Sequence, residues 1–221
     1  MKTLLTLALM TGLTVAMTAC ASKTIDTYDQ PNEVKAPPAS ASLVDPLKVG
    51  EKAAIATLHK PNGKEVDMAH LYAKKPTVLI FYRGGWCPYC NVHLGKIAEA
   101  EAELVKLGFQ VVAVSPDRPE ELKTTLDKGD YDYQLLSDSK MNLSKGYGLA
   151  FRVDDGTVKK YVNYGIDLDK ASGESHHLLP VPAVYIVDRR GVIQFAHWSP
   201  DYKTRLDNEK LISAARKVMG K

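Results

Sequence analysis

A six-residue apolar run, Thr77-Val78-Leu79-Ile80-Phe81-Tyr82, passes through Arg83-Gly84-Gly85 into Trp86-Cys87-Pro88-Tyr89-Cys90. A short run with almost no polar alternation predicts a strand covered on both faces. Beyond the cysteines, Leu94, Ile97, Ala98, Ala102 and Val105 keep helical spacing up to Gly108, which suits a helix C-terminus. Only a tight Gly-Gly turn separates strand from helix, so Cys87 stands where the helix opens. Unpaired backbone N–H groups and the positive end of the helix dipole favour an anion at that position. Such surroundings can lower a cysteine pKa from ~8.5 into the range ~3.5–7.5. Two intervening residues put Cys90 within reach of Cys87 on the same turn. The segment therefore predicts a buried strand carrying a reversible dithiol/disulfide centre at its end.

The chain has 221 residues, 45% hydrophobic and 25% charged, which fits one globular domain plus appendages. A net charge of +3, evenly spread, gives no reason to expect a nucleic-acid partner. Residues 1–19 carry Lys2 and an apolar stretch from Leu4 to Met17, the layout of a secretory signal and too short for a stable membrane span. Met17-Thr18-Ala19-Cys20 resembles the bacterial lipobox, which implies a lipid on Cys20 as the first mature residue. Ala21 then resembles outer-membrane sorting. The alternative is ordinary cleavage after Ala21 and a soluble periplasmic protein. A lipidated Cys20 leaves Cys87 and Cys90 as the redox pair. Residues 20–46, rich in Ala, Ser, Pro, Asp and Lys, predict a flexible tether, and the domain is expected over 47–221.

Within the domain, Ala54–Leu58 and Glu65–Met68 flank Asn62-Gly63, a hairpin signal. Phe109–Val114 predicts a second buried strand, and Ser115-Pro116-Asp117 breaks it. Pro119–Lys128 predicts a helix, Leu135–Asp138 a short strand and Leu143–Leu149 a short helix. Residues 151–179 are polar and poorly periodic, an insertion with room for a hairpin. Ala183–Asp188 predicts a third buried strand, Val192–Phe195 its partner, and Asn208–Met219 a closing helix. This order describes a three-layer α/β sandwich.

Residues 47–219 resemble the alkyl hydroperoxide reductase/thiol-specific antioxidant branch of the thioredoxin fold. The matching pieces are Val49-Gly50-Glu51, the hairpin, Phe81-Tyr82-Arg83-Gly84-Gly85-Trp86-Cys87, Val112–Asp117, Leu179-Pro180-Val181-Pro182-Ala183 and the late Asp201 to Arg205. The resemblance implies a thioredoxin-like α/β/α sandwich with an N-terminal hairpin extension and an insertion before a cis-proline strand. It implies Cys87 as nucleophile and Cys90 as resolving cysteine. Pro182 becomes the cis-proline facing them, and the Val181 backbone a binder of extended substrate. Trp86 is expected as a lid beside Cys87, and Arg83 and Arg205 as groups that hold the thiolate or polarise a peroxide oxygen. His93 is expected on the helix surface and His176-His177 in a solvated loop. Peroxiredoxins place Thr three residues before the attacking Cys and Pro seven before; here Gly84 and Ile80 stand there, while Cys87-Pro88 follows the family habit.

The expected function is a peroxiredoxin-like, thiol-dependent antioxidant oxidoreductase cycling Cys87/Cys90 to reduce peroxides. One alternative is an envelope-tethered thioredoxin-like protein disulfide reductase. Another is a metal protein delivering copper through Cys87, Cys90 and a His. A zinc site needs four ligands, and no second Cys-x-x-Cys accompanies the first. No nucleotide or phosphate-cradle motif is present, so no cofactor or metal is expected beyond the dithiol. A thiol reductant, which the sequence does not name, must return the electrons.

Overall fold

A computed structural model of the chain describes residues 36–129 and 131–220. A hairpin of β1 (Thr57–His59) and β2 (Glu65–Asp67) leads into α1 (Met68–Lys74) and the central strand β3 (Thr77–Phe81). Then follow α2 (Pro88–Leu107), β4 (Gln110–Ser115), α3 (Pro119–Leu126), β5 (Gln134–Ser137) and α4 (Asn142–Gly146). The second half holds β6 (Ala150–Arg152), α5 (Asp155–Asn163), α6 (Leu168–Ser172), β7 (Leu178–Pro180), β8 (Ala183–Val187), β9 (Ile193–Trp198) and α7 (Asn208–Val218). Seven strands form one sheet in the order β2-β1-β5-β4-β3-β8-β9. The β3, β4 and β5 strands run parallel, and β8 closes antiparallel on β3.

Every residue of β3 is buried, as a strand with helices on both faces must be. Its side chains alternate between two cores. Val78, Ile80 and then Tyr82 pack with Leu94 and Ile97 of α2 and Leu211 of α7. Leu79 and Phe81 pack on the other side with Leu71 and Tyr72 of α1 and Leu143 of α4. The three-layer α/β/α arrangement read from the sequence is thus the arrangement of the molecule. Gly108 ends α2 with φ +104, its N–H shared by Leu104 and Val105 carbonyls.

Four features differ from the sequence reading. Met68 does not continue β2. Asp67 instead accepts the Ala69 N–H and opens α1, whose Met68, Leu71 and Tyr72 fill the core. Residues 36–46 lie along the domain rather than away from it. They include a 3-10 turn, Ala41–Leu43, and Pro38 O accepts the Arg152 N–H at 2.8 Å. The insertion is helical, with β6 and β7 pairing at its base and α5 and α6 between them. Asp154 and Asp167 cap those helices, and Val153, Leu168 and Leu179 form a small core beneath them.

The fourth difference is Pro182, because none of the described peptide bonds is cis. The Val181 N–H donates to Leu149 O at 2.9 Å, and Pro182 O accepts from Ser199 N at 3.2 Å. These bonds carry the chain in extended form straight into β8. The trans form, favoured by ~0.5–1 kcal/mol before proline, satisfies them.

Candidate active site

Cys87 is the N-cap residue of α2, with extended backbone (φ −90°, ψ 112°), and Pro88 takes the first helical position. Pro at that place lacks only an N–H that the helix could not have bonded. The Gly84-Gly85 turn holds the cap: Cys87 N–H donates to Gly84 O at 3.1 Å, and Cys87 O accepts from Cys90 and Asn91. Both cysteines are free thiols and buried, Cys87 with 2% of its surface exposed. A hydrogen bond with Cys90 lowers the Cys87 pKa to about 6 against the opposing cost of burial. A backbone hydrogen bond from Cys90 and the charges of Arg83 and Arg205 add to the lowering. Burial raises the Cys90 thiol well above its ordinary value. One sulfur is thus a ready thiolate and its neighbour a ready proton carrier, which is the division an attacking and a resolving thiol require.

The two arginines approach from different sides. Arg83 is buried, and its guanidinium lies 4.2 Å from the Tyr202 ring centre, 5.1 Å from that of Trp86 and 5.6 Å from that of Tyr161. Its Nη2 also donates to the Tyr161 hydroxyl. Three ring faces hold the planar cation without neutralising it, so its charge acts on the sulfur. Arg205 reaches in from the segment before α7, and its Nη2 lies 3.4 Å from Cys90 Sγ. A cleft of about 210 Å³ opens over Arg83, walled by Phe151, Tyr161, Pro182, Tyr202 and residues 39–41.

Beneath the turn lies a buried polar group. Asp117 Oδ2 accepts from Gly85 N at 2.7 Å and from the Ser115 hydroxyl at 3.1 Å. Burial raises its carboxyl to about 7. The Tyr82 hydroxyl is fully buried nearby and is held in its neutral form, chiefly by burial and then by the Asp117 charge. Gly84 has φ +145°, and a Cβ there would collide with the Trp86 indole nitrogen and come within 2.7 Å of Asp117 Oδ1. The Thr that peroxiredoxins carry at this place has no room here.

Cys87, Cys90, Trp86, Arg83 and Arg205, all named from the sequence, come together at one end of the sheet. Pro182 borders the cleft, whereas Val181 faces the opposite core and its N–H is taken by Leu149 O. That donor is not free for an extended substrate. His93 is buried rather than on the surface, and burial lowers it to about 4. The histidine pair is also structural. His176 bridges Ser139 O and the Leu178 N–H, and His177 lies 2.9 Å from Asp169. Tyr161 and Tyr202 were not singled out. Tyr202 falls within the quoted Asp201-to-Arg205 stretch, but nothing in the polar insertion marks Tyr161. Cys20 lies outside the described residues.

The comparisons with known proteins agree with this geometry. The family model described as AhpC/TSA matches residues 49–196. Peroxiredoxin Bcp of Escherichia coli is 27% identical over 106 residues, 48% of this chain and 67% of that protein. The chloroplastic peroxiredoxin Q of Suaeda salsa is 25% identical over 179 residues, 81% of this chain and 71% of that one. The crystal structure of peroxidoxin BcpB from Mycobacterium tuberculosis superposes with a TM-score of 0.61 at 17% identity, covering 78% of this chain and 98% of that one. The match to the family model spans well over half of the sequence and includes both cysteines, and this chain belongs to the AhpC/TSA family.

Proposed function

We propose that the protein is a thiol-dependent antioxidant oxidoreductase that reduces peroxides by cycling Cys87 and Cys90. One observation carries the assignment: Cys87 caps the N-terminus of α2 with Cys90 one turn on, and Arg205 Nη2 stands 3.4 Å from the Cys90 sulfur. In the first step the Cys87 thiolate attacks the terminal peroxide oxygen. The O–O bond breaks, Cys87 becomes a sulfenic acid, and the alkoxide or hydroxide leaves with a proton as alcohol or water. Arg83, stacked among three aromatic rings, faces the charge that develops on those oxygens. In the second step the Cys90 sulfur attacks the sulfenic sulfur and expels water, leaving the Cys87–Cys90 disulfide. Arg205 beside Cys90 favours its thiolate as the proton leaves. Two electrons from an external thiol then restore the pair.

The test is the second-order rate at which hydrogen peroxide oxidises the reduced protein, followed by stopped-flow tryptophan fluorescence. Rapid oxidation that is lost in Cys87→Ser, and that halts at sulfenic acid in Cys90→Ser, is the expected result. A rate no greater than that of an ordinary free thiol in the wild-type protein overturns the assignment. The N-terminal pattern ending in Cys20 supports lipid anchoring in the cell envelope on the periplasmic side. Cys20→Ala is then expected to move the protein from the membrane fraction to the soluble one.

A further inference from the structure

A second cavity, about 500 Å³, lies between the first turns of α2 and the segment before α7 and shares Arg205 with the peroxide chemistry above. Its wall includes Pro88, Tyr89, His93, Lys96, Lys203 and Arg205. Arg205 uses Nη2 on Cys90, while its Nε and Nη1 are buried with no hydrogen-bond partner among the described residues. The Nε2 of His93, a residue only 4% exposed, is buried and unpartnered as well. The unpaired guanidinium N–H groups of Arg205 are the costly donors, and a guanidinium edge is shaped for a carboxylate. Lys96 and Lys203 add two exposed ammonium groups. Asp207, the one carboxylate in the wall, already caps α7 through Lys210 N and pairs with Lys210 Nζ at 3.3 Å. The volume suits a small molecule.

Position gives the ligand its role. Pro88 and Tyr89 are the two residues between the sulfurs, and Arg205 touches both the cavity and Cys90. We propose that this cavity binds a low-molecular-weight thiol carrying carboxylates, the electron donor that reduces the Cys87–Cys90 disulfide. The inference rests on the disulfide-forming cycle proposed above and adds its missing partner. The donor thiolate attacks Cys87 Sγ, the S–S bond breaks, and Cys90 leaves as a thiolate beside Arg205. A second donor thiolate attacks the donor sulfur of the mixed disulfide and releases the Cys87 thiolate. Two donor thiols thus become one donor disulfide and two protons, and both electrons stay on the protein's sulfurs.

The experiment reduces the oxidised, purified protein with mercaptosuccinate, which carries two carboxylates, or with uncharged 2-mercaptoethanol, comparing rates per thiolate present. Saturation with mercaptosuccinate, and a preference of about tenfold that high salt abolishes, are expected. Lys96→Glu and Lys203→Glu, both at exposed positions, should remove that preference, slowing mercaptosuccinate far more than 2-mercaptoethanol, whose thiolate carries one charge. Equal rates per thiolate for the two donors, or a preference that survives both reversals, overturn the inference. Reduction by a protein dithiol donor alone would likewise overturn it. The disulfide is made with diamide as well as with peroxide. A protein that peroxide cannot oxidise therefore counts against the proposed function, while the donor preference is still read.

Discussion

At Cys87 two effects oppose each other. Burial disfavours the thiolate, while the hydrogen bond with Cys90, the helix N-cap and two guanidinium groups favour it, and the balance rests at about 6. One pKa unit is a tenfold ratio, so about nine-tenths of Cys87 is thiolate at pH 7. The rate of Cys87 alkylation by iodoacetamide should therefore rise through pH 6 and level off above pH 7, with Cys90 silent in that range. Arg83→Ala should move the midpoint upward by about one unit and slow peroxide oxidation at least tenfold. Arg83→Lys should not restore the rate, because an ammonium cannot stack between the three rings. A depressed thiol pKa stabilises the native state above the unfolded value and loses that effect as pH falls. The reduced protein should accordingly gain stability over Cys87→Ser as pH rises from about 6 to 9, read from thermal midpoints. Asp117 has the opposite sign. Its carboxyl, raised to about 7, keeps its proton in the native state where the unfolded chain has lost it. Its contribution to stability falls as pH rises between about 4 and 7, and Asp117→Asn, which still accepts the Gly85 N–H, should make the protein's stability rise more steeply (or fall less) over that window than in the wild type, read in urea titrations.

Among the elements, the turn between β3 and α2 decides where the sulfur stands. A Cβ on Gly84, at φ +145°, would collide with Trp86 and Asp117, and one on Gly85 with Thr125. Gly84→Thr, which rebuilds the peroxiredoxin spacing, should cost roughly 1–3 kcal/mol in chemical denaturation and slow peroxide oxidation rather than speed it. The spacing rule fails here because the backbone at residue 84 excludes a side chain, a fact carried by φ and not by the order of residues. The insertion carries a different lesson. Asp154 and Asp167 cap its helices, yet α5 spans nine residues with one apolar i, i+3, i+4 set, Val158, Tyr161 and Val162, too short a period to stand out in a polar stretch. Its Tyr161 reaches Arg83 only because β6 and β7 pair at the base of the insertion. Tyr161→Phe should leave the fold intact and lower the rate of peroxide oxidation several-fold, with the Cys87 alkylation midpoint shifted upward.

For the whole molecule, residues 36–46 are part of the folded body: Pro38 O accepts the Arg152 N–H at 2.8 Å, and Ala41 and Val44 pack against the core. A protein starting at Leu47 should unfold at a lower denaturant concentration than one starting at Ala36, and its cleft over Arg83 should lose one wall. The sheet, its two helical faces and the dithiol at the strand end followed from the sequence alone. Continuous apolar runs and a helix of period near four bury their faces wherever they sit, and Cys-Pro-Tyr-Cys after Gly-Gly leaves the first sulfur little choice but a helix N-terminus. Arg83, Trp86 and Arg205 were also legible, being close in sequence to the cysteines or within a motif. Tertiary structure alone decided which charges reach the sulfurs, that the bond before Pro182 is trans, that Tyr161 and Tyr202 flank Arg83, that Asp117 holds the turn at Gly85 and that His93 is buried. These depend on contacts between segments up to more than a hundred residues apart, such as Arg205 and Cys90. Local propensity reports how a segment folds, whereas burial and field at a sulfur are sums over everything that packs against it.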